Sequence, residues 1–389
     1  MRRKVRVLAG FGAVALLLGV LPLLLEPLDF PRFYLIFLFT LFFWIAQASS
    51  WNILTGYSGY FSFGQGAFYG IGVYTTSVLA VKHGWPFMAA LPLAGILAGL
   101  FALVLGIVVF RLRRLSGEIF ALTTLAVAFV LASLARLWKA IDGGVGIFVT
   151  GTALPGFLGD LTSAVYWMSL TIALLTVLAA YLIYESRLGW GLFAIRDDEA
   201  VAQGLGVPSF RYKMAALVTS SFFAGLMGGV WALQLGFVTV EDVFNLRVPL
   251  FVILMSVLGG LRHWLGPVVG AVIVTTLTDR LNSAGLVEVN QVIVGALLIV
   301  LALAVREGIL MRMKARLAST ALVFAAVFAG VRLAGVSRSL VTDFALALLS
   351  AVALLLVPDR VWARVARRRT VAVAQPRPAL GDEATRNER

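Results

Sequence analysis

One apolar run after another constrains this chain more than any other feature. A hydrocarbon core about 30 Å thick takes about 20 apolar residues as a helix. On that ruler the sequence predicts spans near 6–25, 33–49, 60–81, 87–110, 118–138, 163–184, 212–235, 248–261, 265–282 and 290–305, with a shorter pair near 320–336 and 340–357. The fold class expected is therefore an all-α polytopic membrane protein of about ten core transmembrane helices plus a C-terminal pair. Composition agrees. The 389 residues are 61% hydrophobic and 13% charged, with mean hydropathy +0.97, more apolar surface than a soluble fold of this length can hide.

The net charge of +13 is distributed in a way that argues against nucleic acid. Basic residues cluster in short loops between the apolar runs, as membrane orientation requires. With the N-terminus in the cytoplasm, 24 of the 32 Lys and Arg fall on the cytoplasmic side, including Arg111, Arg113, Arg114, Arg187, Arg196, Arg211, Lys213 and Arg262. Twelve spans then leave both termini inside. The first run follows Arg2-Arg3-Lys4 and lacks a small-x-small cleavage site, so it reads as an uncleaved helix rather than a signal peptide. The tail from Arg364 is charged, Pro-containing and poor in aromatics, and reads as a disordered basic anchor.

Chemistry is conspicuous by its lack of candidates. The chain has no Cys, and its two histidines, His83 and His263, are too far apart in sequence to suggest a metal site. No Gly-rich phosphate loop ending in Lys-Ser/Thr is present. All 19 acidic residues fall in loops or near span ends, so the midspan carboxylate common in proton- or sodium-coupled carriers is missing. The chain conducts passively or takes its energy from elsewhere.

Four stretches stand out. Trp51–Ala80 interleaves Gly56, Gly59, Gly64, Gly66, Gly70 and Gly72 with Ser58, Ser62 and Gln65. Small residues suit close helix packing, and the polar ones suit a broken helix lining a pathway. The loop 139–160 carries Gly143, Gly144, Gly146 and Gly151 and is expected to be a structured external loop. Val257–Ala271 joins two runs through a tight Gly-Gly-Leu-Arg-His-Trp turn. Finally, Arg187–Val207 is a polar island between apolar runs, patterned as a short amphipathic helix. Phe193, Ile195, Val201 and Leu205 are expected to supply its apolar contacts. Arg196, Asp197, Asp198 and Glu199 form a charged turn, and Gly204 and Gly206 close it. The charge count places this island in the cytoplasm, where it offers a grip for a partner.

Three blocks in order, Asn52–Thr76, Gly117–Ala126 and Arg187–Ala271, resemble permease subunits of branched-chain (hydrophobic) amino acid ABC importers, across about residues 30–312. Two positions depart from that family's pattern: Asp142–Gly146 replaces a Thr-Gly-Gly-Pro-Asn-Gly-like sequence, and Arg262-His263 replace smaller residues. The resemblance implies a second homologous permease subunit, two cytoplasmic ABC ATPase subunits, and a periplasmic or extracellular substrate-binding protein. It places the chain in the bacterial inner membrane. It implies that this chain binds no cofactor and that ATP and Mg sit on partner subunits. It implies a transmembrane permease domain over 1–312 with a cytoplasmic coupling loop at 185–211. Residues 313–358 are expected to form an extra hydrophobic hairpin, and 359–389 the tail. A coupling helix at this loop docks on the ATPase, assigned to Arg187, Gly191, Arg196, Asp197, Asp198, Glu199, Ala200, Gly204 and Gly206. The translocation pathway is assigned to Asn52, Tyr57, Ser58, Gly59, Ser62, Gly64, Gln65, Thr123 and Thr124. The resemblance implies ATP-driven translocation of branched-chain or other hydrophobic amino acids, with urea, short amides or aromatic acids on the same scaffold as the alternative. A stand-alone facilitator competes as a function, and an intramembrane enzyme lacks catalytic residues.

Overall fold

The computed structural model describes residues 2–25, 32–111 and 117–283, apart from 140, 142, 151–153 and 157–158, together with Gly285 and Gly295. The spans expected at 290–305, 320–336 and 340–357, the extra hairpin and the tail lie outside the described residues. Met1–Ala315 forms one compact unit.

The helices are α1 (Arg2–Leu25), α2 (Phe33–Ser58), α3 (Gln65–Ser77, continued by a π-helical turn Val78–Lys82), α4 (Phe87–Val109), α5 (Gly117–Leu137) and α6 (Leu161–Tyr184). There follow α7 (Arg187–Asp197), α8 (Glu199–Gly204), α9 (Ser209–Leu235), α10 (Val240–Val243), α11 (Arg247–Gly259) and α12 (Gly266–Ser283). Among the described residues, α2, α4, α5, α6, α9 and the segment Val240–Gly259 are long and apolar enough to cross a membrane. The chain is a multi-pass, mostly helical membrane protein.

Two expectations need correction. α2 continues nine residues past the expected end of its span, because Ser50 and Ser58 turn their hydroxyls back onto the carbonyls of Gln47 and Leu54 and so cost the helix nothing in lipid. The span expected at 60–81 begins only at Gln65, so the Gly-rich break is not inside a span; it is the turn between α2 and α3. The fold is all-α, as expected, but for one short ladder. Ile147–Phe148 pairs antiparallel with Phe237–Val238, which ties the 139–160 loop to the end of α9. Two-residue strands leave no pattern a sequence could show.

α9 is the central helix. It packs on α2, α3 and α4, while α6 covers α2, and α11 packs on α12. Small residues set these distances. A Cβ on Gly72 of α3 would collide with the carbonyl of Gly225 on α9, and one on Gly228 with the carbonyl of Tyr69. In lipid, where neighbouring tails are as apolar as the side chains, such close backbone approach is what holds helices together. Asp160 caps α6 by accepting from the Ser163 N–H at 3.0 Å, and hydrogen bonding from the Ser163 side chain, helped by that N–H, holds its carboxyl below the usual Asp range.

Replacing Gly72 by Val should therefore force α3 from α9 and cost about 1–3 kcal/mol, while Gly12→Ala, with no neighbour within 4 Å of the new Cβ, should leave stability unchanged. Thermal unfolding of the two variants in detergent checks this; equal melting temperatures would contradict the close-packed seam.

Candidate functional site

The turn Gly59–Gly64 sits at the far end of α2 from Phe33. Gly59 ends α2 in the left-handed region, φ +78°, with its N–H on the Thr55 carbonyl, a conformation a residue with a Cβ adopts only with strain. Tyr60, Ser62 and Gly64 of this turn are buried. A buried turn carries backbone groups that neither a helix nor water can satisfy. Here side chains do it. Trp51 Nε1 donates to the Ser62 carbonyl at 2.7 Å, and the Thr55 hydroxyl to the Tyr60 carbonyl at 3.0 Å. The Phe63 N–H donates to Thr124 Oγ1 at 3.0 Å, and the Gly64 N–H to Ser62 Oγ at 3.1 Å.

The polar island lies against this turn. Its sequence folds as two helices rather than one. Ser186 caps α7 through the Gly189 N–H at 3.3 Å; Asp198, extended at φ −159°, caps α8 through the Val201 N–H at 2.9 Å. Gly191 lets the Tyr212 ring lie against α7, and a Cβ on Gly189 would collide with the Ile183 carbonyl.

Two charged side chains of the island turn inward. Arg196 Nη1 donates to the Gly56 carbonyl near the end of α2, and its aliphatic stem packs on Gly59. Burial lowers the Arg196 pKa from its ordinary value; Arg262 acts the same way and Asp197 opposes it, and an arginine so placed stays charged. Glu199 accepts from the Tyr60 hydroxyl through Oε2 and from Lys213 Nζ through Oε1, the latter at 2.6 Å. Lys213 is 6% exposed and Glu199 24%. Lys213 Nζ also lies 3.1 Å from the Tyr60 oxygen and 4.3 Å from the centre of its ring. Glu199, Tyr60 and Lys213 thus join α8, the α2–α3 turn and the first turns of α9. Lys213 was not among the expected site residues; its one signal in the sequence is a lysine just inside an apolar run.

The outer face of the island is different. Arg187, Asp197, Asp198, Ala200, Gly204 and Gly206 are exposed. Ile195 is 3% exposed and Phe193 packs on Tyr57 and Tyr184, as expected, but Val201 and Leu205 do not supply internal contacts: they are 58% and 80% exposed, beside Trp190 at 73%. A six-residue helix is too short for apolar spacing to define its buried face. Asp197 pairs with Arg262 of the α11–α12 turn at 3.2 Å, so that turn borders the same surface.

The residues expected to line a pathway are placed as follows. Asn52, Tyr57, Ser58, Ser62 and Gln65 are at most 2% exposed. Tyr57 donates to the Ala180 carbonyl of α6 at 3.1 Å. Gln65 donates to Gln47 Oε1 at 2.7 Å and Ser50 Oγ at 2.9 Å, fastening α3 to α2. The Asn52 carboxamide is buried with no hydrogen-bond partner, against Gly56. Thr124 reaches the turn, while the Thr123 hydroxyl folds back onto the Ile119 carbonyl of its own helix. Among the described residues no group of three His, Cys, Asp or Glu could hold a metal.

The described residues form a multi-pass bundle with a polar two-helix element clamped to one end. The chain belongs to the family described as branched-chain amino acid transport system permease component, which matches residues 33–302. It is similar to the high-affinity branched-chain amino acid transport system permease protein LivM of Escherichia coli (strain K12), 29% identical over 284 residues, 67% of this chain and 65% of that protein. It is 24% identical to the probable branched-chain amino acid transport permease protein LivH of Methanocaldococcus jannaschii over 227 residues, 55% of this chain and 69% of that protein. A shorter stretch of 86 residues, 22% of this chain and 23% of the relative, is 27% identical to the nucleoside ABC transporter permease protein NupC of Lactococcus lactis subsp. cremoris. The chain thus spans slightly less than two thirds of the length of LivM. No solved structure matches it.

Lys213→Met should cost about 3 kcal/mol, because it leaves a mostly buried carboxylate without its cation. Arg262→Ala, which breaks a pair exposed at both ends, should cost at most about 1 kcal/mol. Combining Lys213→Met with Glu199→Gln should recover part of the first loss. Thermal unfolding of these variants measures all three, and a Lys213→Met protein as stable as the parent would show that the cluster does not hold α8.

Proposed function

We propose that this chain is a membrane-spanning permease subunit of an ATP-driven importer of branched-chain or other hydrophobic amino acids. It works in the bacterial inner membrane with both termini cytoplasmic. Its partners are a second homologous permease, two cytoplasmic ABC ATPases that carry ATP and Mg, and a substrate-binding protein on the opposite side. It is a transport subunit without an ATPase site of its own. Family membership supports the substrate class.

The observation that carries the reading is the two-faced α7–α8 pair. Its inner face is fixed to the α2–α3 turn through Arg196, Glu199 and Lys213. Its outer face presents Trp190, Val201 and Leu205 among exposed charges. An exposed apolar set ringed by polar groups marks a docking surface. The ATPase seats on that outer face, and its nucleotide-driven movement pulls on the turn between two packed helices. Arg187, Asp197, Asp198, Ala200, Gly204 and Gly206 are placed to meet the ATPase, whereas Arg196, Glu199 and Gly191 act from inside the subunit. A stand-alone facilitator leaves this surface without an occupant.

Val201→Glu combined with Leu205→Glu should abolish co-purification of the ATPase subunits and ATP-dependent leucine uptake in proteoliposomes. The melting temperature of the isolated chain should stay unchanged, since both side chains are exposed. Uptake that proceeds without ATPase, or a complex that survives both substitutions, would refute the reading.

A further inference from the structure

At the end of the bundle remote from α7 and α8 lies a cavity of about 320 Å³, within the size range of small-molecule sites. Its walls come from the first half of α2, Tyr69 of α3, the last turn of α9, the α10–α11 corner and the final turns of α12. The floor is aromatic: Trp44 stacks on Phe251 with ring centres 5.3 Å apart, and Trp231 lies 4.0 Å from Phe43.

The polar groups are of two kinds. Arg247 stands at the rim, exposed, its guanidinium 5.6 Å from the centre of the Phe251 ring. Among the described residues no carboxylate pairs with it. On the α12 wall, the Thr275 and Thr278 hydroxyls and Asp279 Oδ2 are buried and have no hydrogen-bond partner; Arg280 reaches Asp279 only at 3.8 Å. Their spacing of three and four residues puts them on one helix face. Leaving such groups unmet is costly, so a ligand that supplies donors to them gains affinity. Asp242, another acid on the rim, is already bonded by the Thr239 hydroxyl at 2.6 Å.

We propose that this cavity is a binding site for the zwitterion of a free α-amino acid with an apolar side chain. The ligand's carboxylate pairs with Arg247, whose planar fork suits it. Its ammonium, with three donors and no acceptor, satisfies Asp279 Oδ2 and the two threonine hydroxyls. Its side chain lies on the Trp44–Phe251 and Trp231 surfaces. An anion alone would leave Asp279 unmet and repelled. A purely apolar solute would leave Arg247 without an anion and Asp279 Oδ2 without a hydrogen bond. This inference rests on the amino-acid import reading and deepens it by locating a substrate site within the permease itself.

Equilibrium dialysis of the purified full chain against radiolabelled L-leucine tests it without any ATPase. Leucine should bind saturably. Leucinamide, which lacks the carboxylate, and 4-methylpentanoate, which lacks the amine, should compete at least about tenfold more weakly, the loss of one charge-assisted bond. Arg247→Gln should erase the preference for leucine over leucinamide, and Asp279→Asn the preference over 4-methylpentanoate. Arg247 is exposed, so its replacement keeps the test valid should the Asp279 variant fail to fold. No saturable binding, or variants that keep both preferences, overturns the site. Binding as expected with no ATP-driven uptake would sink the import reading and leave the site standing; ATP-driven leucine uptake with flat dialysis would do the reverse.

Discussion

The end of the molecule that bears α7 and α8 depends on one requirement: the buried turn between α2 and α3 must have its backbone groups satisfied without water. Where no solvent can serve them, orphaned N–H and C=O groups cost enough to undo the packing around them. Trp51, Thr55 and Ser58 of α2, Thr124 of α5, and Ser62 of the turn itself meet that requirement. Each of those bonds fixes the helix its donor or acceptor belongs to. The start of α5 is thereby held over the turn, and the three sequence blocks that resemble the permease family meet at this end of the bundle.

The α7–α8 pair joins the same network through charge. Arg196 takes the Gly56 carbonyl, and Glu199 takes the Tyr60 hydroxyl and Lys213. The exposed Arg262–Asp197 pair adds the α11–α12 turn, but solvent on both partners makes it weak. The strength therefore lies inside, between the pair and the turn. A pull on the outer face reaches α2 and α3 before it reaches anything else. It also reaches α9, the helix that α2, α3 and α4 pack against.

Much of this was legible in the sequence. Apolar runs gave α4, α5, α6 and α9 to within a few residues, because nothing but a helix tolerates lipid over that length. The island at Arg187–Val207 stood out for its polarity, and Ser186 and Asp198 are residue types that cap helices. Other features were hidden. The second half of α2 reads as a connector because Ser49, Ser50, Asn52, Thr55 and Ser58 depress its hydropathy; only geometry reveals hydroxyls bonded within the helix and to the turn. Arg196 and Glu199 read as partner-facing for the ordinary reason that charges face water. They turn inward because a carbonyl at Gly56 and a lysine fourteen residues on from Glu199 offer better partners. The aromatic cavity was invisible, since its walls come from six helices whose sequences say nothing of their mutual placement.

The central claim is that α8 and the α2–α3 turn move as one body. The natural chain has no cysteine, so introduced cysteines can be labelled without background. Pulsed electron–electron distance measurements between spin labels at Ala200 and Phe61, in the chain assembled with its ATPases, should give the same distance without nucleotide and with ATP trapped, while the distance from Ala200 to a label at Gly12 on α1 changes. A distance between Ala200 and Phe61 that shifts with nucleotide while Phe61 keeps its distance from Gly12 would contradict the account.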